Sequence, residues 1–295
     1  MILNGMTKMH SNAVVANAFG IFGGGNDGAV TAYTDKYFYS GDTVVAGTGL
    51  GVARYLFAAT GNSTIGIFGG GYATAGTAYT DKYTYSGDTV VAGTVLGVAR
   101  YFLAATGNAT VGIFGGGNVS GNRTDKYTYS GDTVVAGTVL GLARIGLAAT
   151  GNSTVGIFGG GGNPITAHTD KYTYSGDTVV AGTVLGLARL YLAATGNSTV
   201  GIFGGGYTTA ATAYTDKYTY SGDTVAAATV LGLVRHYVAA TGNATVGIFG
   251  GGNDGAATAY TDKYTYSGDT VVAGTVLGVA RYGLAACSST ANGLI

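Results

Sequence analysis

One ten-residue string, TDKYTYSGDT, begins at Thr80, Thr124, Thr169, Thr215 and Thr261, and a near-copy, TDKYFYSGDT, begins at Thr34. Its aspartates, Asp35, Asp81, Asp125, Asp170, Asp216 and Asp262, are 46, 44, 45, 46 and 46 residues apart. A second string, IFGGG, keeps step with it from Ile21, Ile67, Ile113, Ile157, Ile202 and Ile248. Periods of this length belong to solenoids and propellers, and the content of each period chooses between them. In the unit Tyr55–Arg100, YLFAATGN is a short apolar run ending in a Gly-Asn turn, and STIGIFGG is a second run closed by glycines. TAYTDKYTYS and DTVVAGTVL follow as third and fourth runs, separated by a tight Ser-Gly-Asp turn. Four runs without helical periodicity predict a four-stranded antiparallel blade. Six such units predict an all-β, six-bladed β-propeller over residues 18–295, with 1–17 as an N-terminal arm or a first strand. A β-helix is the rival architecture, but its coils lack two tight hairpins per repeat.

Charge narrows the function classes. Only 9% of the 295 residues are charged, with 14 Lys and Arg against 14 Asp and no Glu. A neutral chain of this kind has no electrostatic footprint for nucleic acid. No apolar stretch approaches the ~18 residues of a membrane span, so membrane insertion is not expected. The opening MILNGMTKMHSNAVVANAF has no continuous apolar core and does not read as a secretory signal, which points to synthesis in a cytoplasm. The single cysteine, Cys287, rules out an intramolecular disulfide. Its 56 glycines are not spaced every third residue, which excludes collagen.

The units resemble kelch repeats. Paired glycines close a hydrophobic strand (Gly69-Gly70), a tyrosine follows (Tyr83), and an arginine stands further on (Arg100). The departure is the family's tryptophan, whose place is taken by Val44, Val90, Val134, Val179, Val225 and Val271. The resemblance implies a propeller and leaves function open, because such propellers include binding modules, structural proteins and a minority of enzymes. The low-charge style also looks like kelch-like arrays of bacteria and their phages. That likeness implies a phage virion or tail component, or a bacterial surface protein.

Motifs for chemistry do not separate from the repeat. GIFGGGN lacks the Lys-Ser/Thr and the following helix that a phosphate loop requires. Asn26-Asp27-Gly28 and Asn253-Asp254-Gly255 read as turns in the absence of further spaced carboxylates. His10, His168 and His236 occupy non-equivalent positions, so no symmetric metal site is expected. Twelve of the 14 aspartates are repeat copies, and the SGD set, such as Asp42 and Asp88, is expected to bond local backbone in hairpin turns. No carboxylate pair in distinct environments stands out for acid–base work. The expectation is a non-enzymatic protein without a cofactor or metal.

One cationic set remains: Arg54, Arg100, Arg144, Arg189, Arg235 and Arg281, each opening an innermost strand. Two readings stand. Either each guanidinium pairs with a carboxylate or caps carbonyls between blades, or a ring of cations lines one channel mouth and binds anions or acidic peptides. Differences between repeats gather on the same face, in the loops between second and third strands (26–33, 72–79, 118–123, 162–168, 207–214 and 253–260) and in the pair after each arginine. Those pairs supply Tyr55, Tyr101, Tyr191, His236 and Tyr282 as candidate binding residues beside the arginines. The expected partner is a protein or a glycan on this face, in a lectin-like or peptide-binding role or within a larger particle.

Two architectural expectations follow. Tyr282–Cys287 fits the innermost-strand pattern better than MHSNAVVAN does, so the C-terminal strand should close the first blade; the alternative strand is Asn12–Ala16. Adjacent Asp and Lys in TDKY point to opposite faces of a blade, which predicts a circle of six Lys–Asp pairs between neighbours.

Overall fold

The computed structural model describes residues 18–290, so the readings of 1–17 as an arm or as a strand at Asn12–Ala16 lie outside the described residues. The chain forms six four-stranded antiparallel blades arranged in a ring, a six-bladed β-propeller. Blade 1 contains β1 (Phe19–Gly23), β2 (Thr34–Phe38) and β3 (Thr43–Gly47). Blade 2 contains β4 (Ala58–Gly61), β5 (Ile65–Gly69), β6 (Thr80–Thr84) and β7 (Thr89–Ala92), running from the channel outward. Strands β8 (Leu103–Gly107) to β23 (Thr270–Ala273) build blades 3 to 6 in the same way. The last strand, β24 (Ala285–Ser288), pairs with β1 in the register Ile21↔Cys287 and becomes the innermost strand of blade 1. Closure by the C-terminal strand is therefore as the pattern of Tyr282–Cys287 predicts.

Burial grades outward. The second strand is enclosed on both faces, with Ile67 and Phe68 fully buried, because neighbouring blades cover both. The fourth strand has one free edge and is largely exposed. Each hydrophobic cluster spans a seam: Ala58, Ile67 and Leu96 of blade 2 pack with Phe114 and Tyr127 of blade 3. The constancy of IFGGG has a steric cause here. A Cβ on Gly69 would lie 2.8 Å from the Phe114 ring, and Gly115 stands in the same relation to Phe158 of the next blade. Gly70 and Gly71 then take φ of +71° and +105°, a turn that side chains with a Cβ rarely make.

Polar seams repeat with the same regularity. Thr60, Thr106, Thr150, Thr195 and Thr241 each hydrogen-bond a buried tyrosine hydroxyl one seam onward, on Tyr129, Tyr174, Tyr220, Tyr266 and Tyr39. At the remaining seam Cys287 replaces the threonine and accepts from Tyr85 at 3.4 Å. Burial pushes that thiol up to about 12, which leaves it an inert core group.

Candidate functional site

The innermost and third strands of every blade start on one face, so the crossovers between blades and the variable loops share it. The Asn turns and SGD turns occupy the other. Beneath the variable face lies a layer formed by the arginines. Arg54 sits in the crossover from blade 1 to blade 2, and its carbonyl accepts from Gly25 of blade 1 at 2.9 Å. Its guanidinium enters blade 2, donating to the Phe68 carbonyl at 2.9 Å and pairing with Asp81 at 2.7 Å. Asp81 also accepts from the crossover amide of Gly51, at 3.1 Å. One arginine thus fastens two blades.

All six arginines repeat this arrangement: Arg100 with Asp125, Arg144 with Asp170, Arg189 with Asp216, Arg235 with Asp262 and Arg281 with Asp35. Each also donates to the carbonyl of the blade's central phenylalanine. Side-chain exposure of these arginines is 0% throughout, so they do not form the exposed cationic ring of the second reading. The pairing and carbonyl-capping reading is the one that fits. Burial lowers each guanidinium's pKa, and the facing carboxylate opposes that shift.

The Lys–Asp circle needs a similar correction. The TDKY aspartates belong to arginines, and among the described residues two of the six lysines pair instead with the SGD aspartate of the next blade, Lys82 with Asp132 at 3.2 Å and Lys36 with Asp88. Those aspartates do not bond local backbone as expected. Asp88, at φ +48°, accepts from Tyr83 of its own blade and from the amide of Thr48 in blade 1 at 3.2 Å. The Thr48 hydroxyl donates to the Asp88 carbonyl at 2.6 Å. Equivalent threonine–aspartate contacts bind every seam, ending with Thr275 on Asp42.

Above the arginine layer the channel mouth carries a different ring. The second residue after each arginine is Leu56, Phe102, Gly146, Tyr191, Tyr237 or Gly283, and all six have φ between +55° and +64°. Each donates its amide to the carbonyl of its counterpart in the preceding blade, from Phe102 on Leu56 at 2.8 Å to Leu56 on Gly283 at 2.6 Å. The six bonds close a circle. Left-handed backbone at a bulky residue costs on the order of 1–3 kcal/mol, and four of these six are bulky.

Their side chains, with those of the residue just before, cover the mouth with aromatic rings. Tyr191 and Tyr237 centroids are 4.2 Å apart, and Phe102 lies 5.1 Å from Tyr191. His236 and Tyr282 flank Tyr237 at 4.6 and 5.8 Å, and Tyr55 meets Tyr282 at 6.2 Å. Tyr101 joins the chain through Phe102 at 5.0 Å. The candidate residues Tyr55, Tyr101, Tyr191, His236 and Tyr282 are therefore all half-buried at one mouth. A small cavity of about 70 Å³ lies among the ring residues and the apolar side chains below them, well under the volume of a ligand pocket, so contact at this mouth would be made on its surface. Burial raises the Tyr237 phenol, helped by the neighbouring Tyr191 phenol, and burial lowers the His236 imidazole, so both groups are neutral near pH 7.

Leu56, Phe102 and Tyr237 are missing from the sequence-derived candidates. Their signal was present: two glycines share a register with four large residues, which marks a position of positive φ. Comparison of the chain with protein-family models and with curated proteins finds no match to either.

Proposed function

We propose that this propeller is a non-enzymatic recognition module that binds its partner over the channel mouth of the variable face. One observation carries the reading. The backbone circle accepts glycine at Gly146 and Gly283, yet Leu, Phe and two Tyr occupy its other positions at a conformational cost. Closing the ring does not require large side chains there, and contact with a ligand is a reason to keep them. Variable loops surrounding a rigid mouth are the usual construction of a binding surface. Among the described residues His236 has no carboxylate partner to activate it, and every aspartate of the arginine layer is already paired, so the mouth is poorly equipped for acid–base chemistry. The kelch-like pattern and low charge extend the proposal to a setting in a phage virion or tail, or on a bacterial surface, with a peptide or a glycan as partner.

The test is symmetrisation. The residue pair after each arginine and the 26–33 class of loops are replaced in all blades by those of blade 2 (Tyr55-Leu56 and 72–79), with the scaffold untouched. On peptide and glycan arrays the natural protein should bind and the symmetrised one should not, at equal melting temperature. Equal array binding by both would remove the reading.

A further inference from the structure

Charge on the variable face is distributed unevenly, and its sign is the reverse of what six arginines suggest. The arginines are neutralised by their aspartates and sealed from solvent. Among the described residues, the aspartates that stand outside the repeat are Asp27 in blade 1 and Asp254 in blade 6. Both are exposed and neither forms an ion pair with a described residue. Blades 1 and 6 are neighbours, so the two carboxylates share one sector. The half-exposed cation of this face, Arg123, belongs to blade 3 across the ring from blade 6, and it leans on Asp125 at 3.5 Å.

Backbone pairing ties each carboxylate to the mouth. Asn26 and Tyr282 exchange both amide bonds, at 2.9 and 3.1 Å, and Asn253 does the same with His236, at 2.9 and 3.1 Å. Asp27 and Asp254 therefore stand one residue beyond the aromatic rings of Tyr282 and His236, with Tyr237 between those two rings. Their negative charge reaches Arg281 and Arg235, which Asp35 and Asp262 already balance. The sector thus holds an excess of negative charge next to electron-rich ring faces. A guanidinium or ammonium group is attracted by both, by carboxylates through charge and by ring faces through their quadrupole. An anion would be repelled by both.

From this charge complementarity we infer that the blade 1–blade 6 sector of the mouth binds a cationic Lys or Arg side chain presented by a partner polypeptide. The inference rests on the recognition role proposed above and names its chemistry. The probes are capped hexapeptides of alternating Lys and Gly, a matched set with Glu in place of Lys, and a neutral oligosaccharide, each titrated by calorimetry. The Lys peptide should bind, and Asp27→Asn with Asp254→Asn should weaken it about tenfold, the scale of two exposed ion pairs. Asp27→Asn keeps the side-chain oxygen that accepts from the Ala29 amide, and the exposed Asp254 carboxylate accepts no bond from a described residue, so both substitutions should leave the melting temperature unchanged. Tyr237→Leu should weaken the same peptide without altering its salt dependence. If the Glu peptide or the saccharide binds instead and Tyr237→Leu abolishes that binding, the mouth is a site and the cationic class is wrong. If no probe binds, or binding ignores every mouth variant, this inference fails; the symmetrised protein on arrays then decides the broader reading separately.

Discussion

The two faces of the ring are made by the same repeat and obey different rules. At the turn face the two tight turns of each blade also reach a neighbour: Asn62 accepts three bonds within its own loop and donates to Ala109 of the next blade, and Asp88 of the SGD turn accepts from Thr48 of the preceding one. That face is almost identical from blade to blade because each copy must fit the same neighbour. On the crossover face the same obligation is met one layer down, by buried arginine–aspartate pairs. Once those pairs hold the ring, the residues above them are released from it and differ from blade to blade. Constancy on this molecule marks load between blades, and variation marks where that load has ended.

The contrast breaks most severely if the ring is opened. Removing residues 285–295 deletes the innermost strand of blade 1 and exposes the core around Ile21 and Tyr85. Thermal unfolding should move down by far more than any single substitution achieves, and an unchanged transition would mean that β24 does not close the ring. Next in size is Arg189→Ala, which strands Asp216 without its partner in the interior; breaking such a buried pair costs about 3–5 kcal/mol, measurable by denaturant titration. Arg123→Ala, half-exposed on the same face, should stay within about 0.5 kcal/mol. Equal losses at the two positions would show that burial is not what separates them.

On the turn face Thr94→Val removes one hydroxyl bond to the Asp132 carbonyl and should cost about 1 kcal/mol. Acid should loosen this face. Burial alone would raise Asp42, Asp132, Asp223 and Asp269, but bonds from the tyrosine and threonine and the nearby lysine outweigh it and hold all four carboxyls below the ordinary 3.8. A depressed folded value means that their contribution is complete above about pH 4 and fades as pH falls further. Solvent screens these carboxylates, so the decline in melting temperature should be gradual, and a decline beginning near neutrality would assign it to other groups. The smallest stability change should come from Tyr237→Gly. Relief at φ +55° offsets the lost ring packing, while binding over the mouth should disappear.

Fold was legible in the string because its signals are local. TDKYT and DTVV alternate, SGD turns between them, and each appears six times at the spacing a blade requires. Closure was legible because Tyr282–Cys287 repeats the innermost strand with only its last letter changed. The partner of each arginine was not. Every period repeats at least two aspartates, Asp81 and Asp88 in blade 2, and linear spacing from Arg54 cannot tell which of them the guanidinium meets. The answer depends on the crossover folding back over its own blade, a three-dimensional fact. Exposure misled for the same reason: an arginine that opens an inner strand is near the mouth in sequence and sealed beneath it in space.

The circle of amide bonds at the mouth has a further consequence. Each of its peptide dipoles lies along the circumference, and all six run in one rotational sense, from Leu56 round to Gly283 and back. A helix terminus leaves such dipoles in a line with two charged ends; a closed loop has no ends, and its vectors sum to nothing along the axis. This circle therefore adds no net dipole along the channel axis and by itself favours neither sign of charge. The side chains on its rim are then free to set the preference of the opening, and exchanging a few of them can rewrite it while the ring keeps its shape.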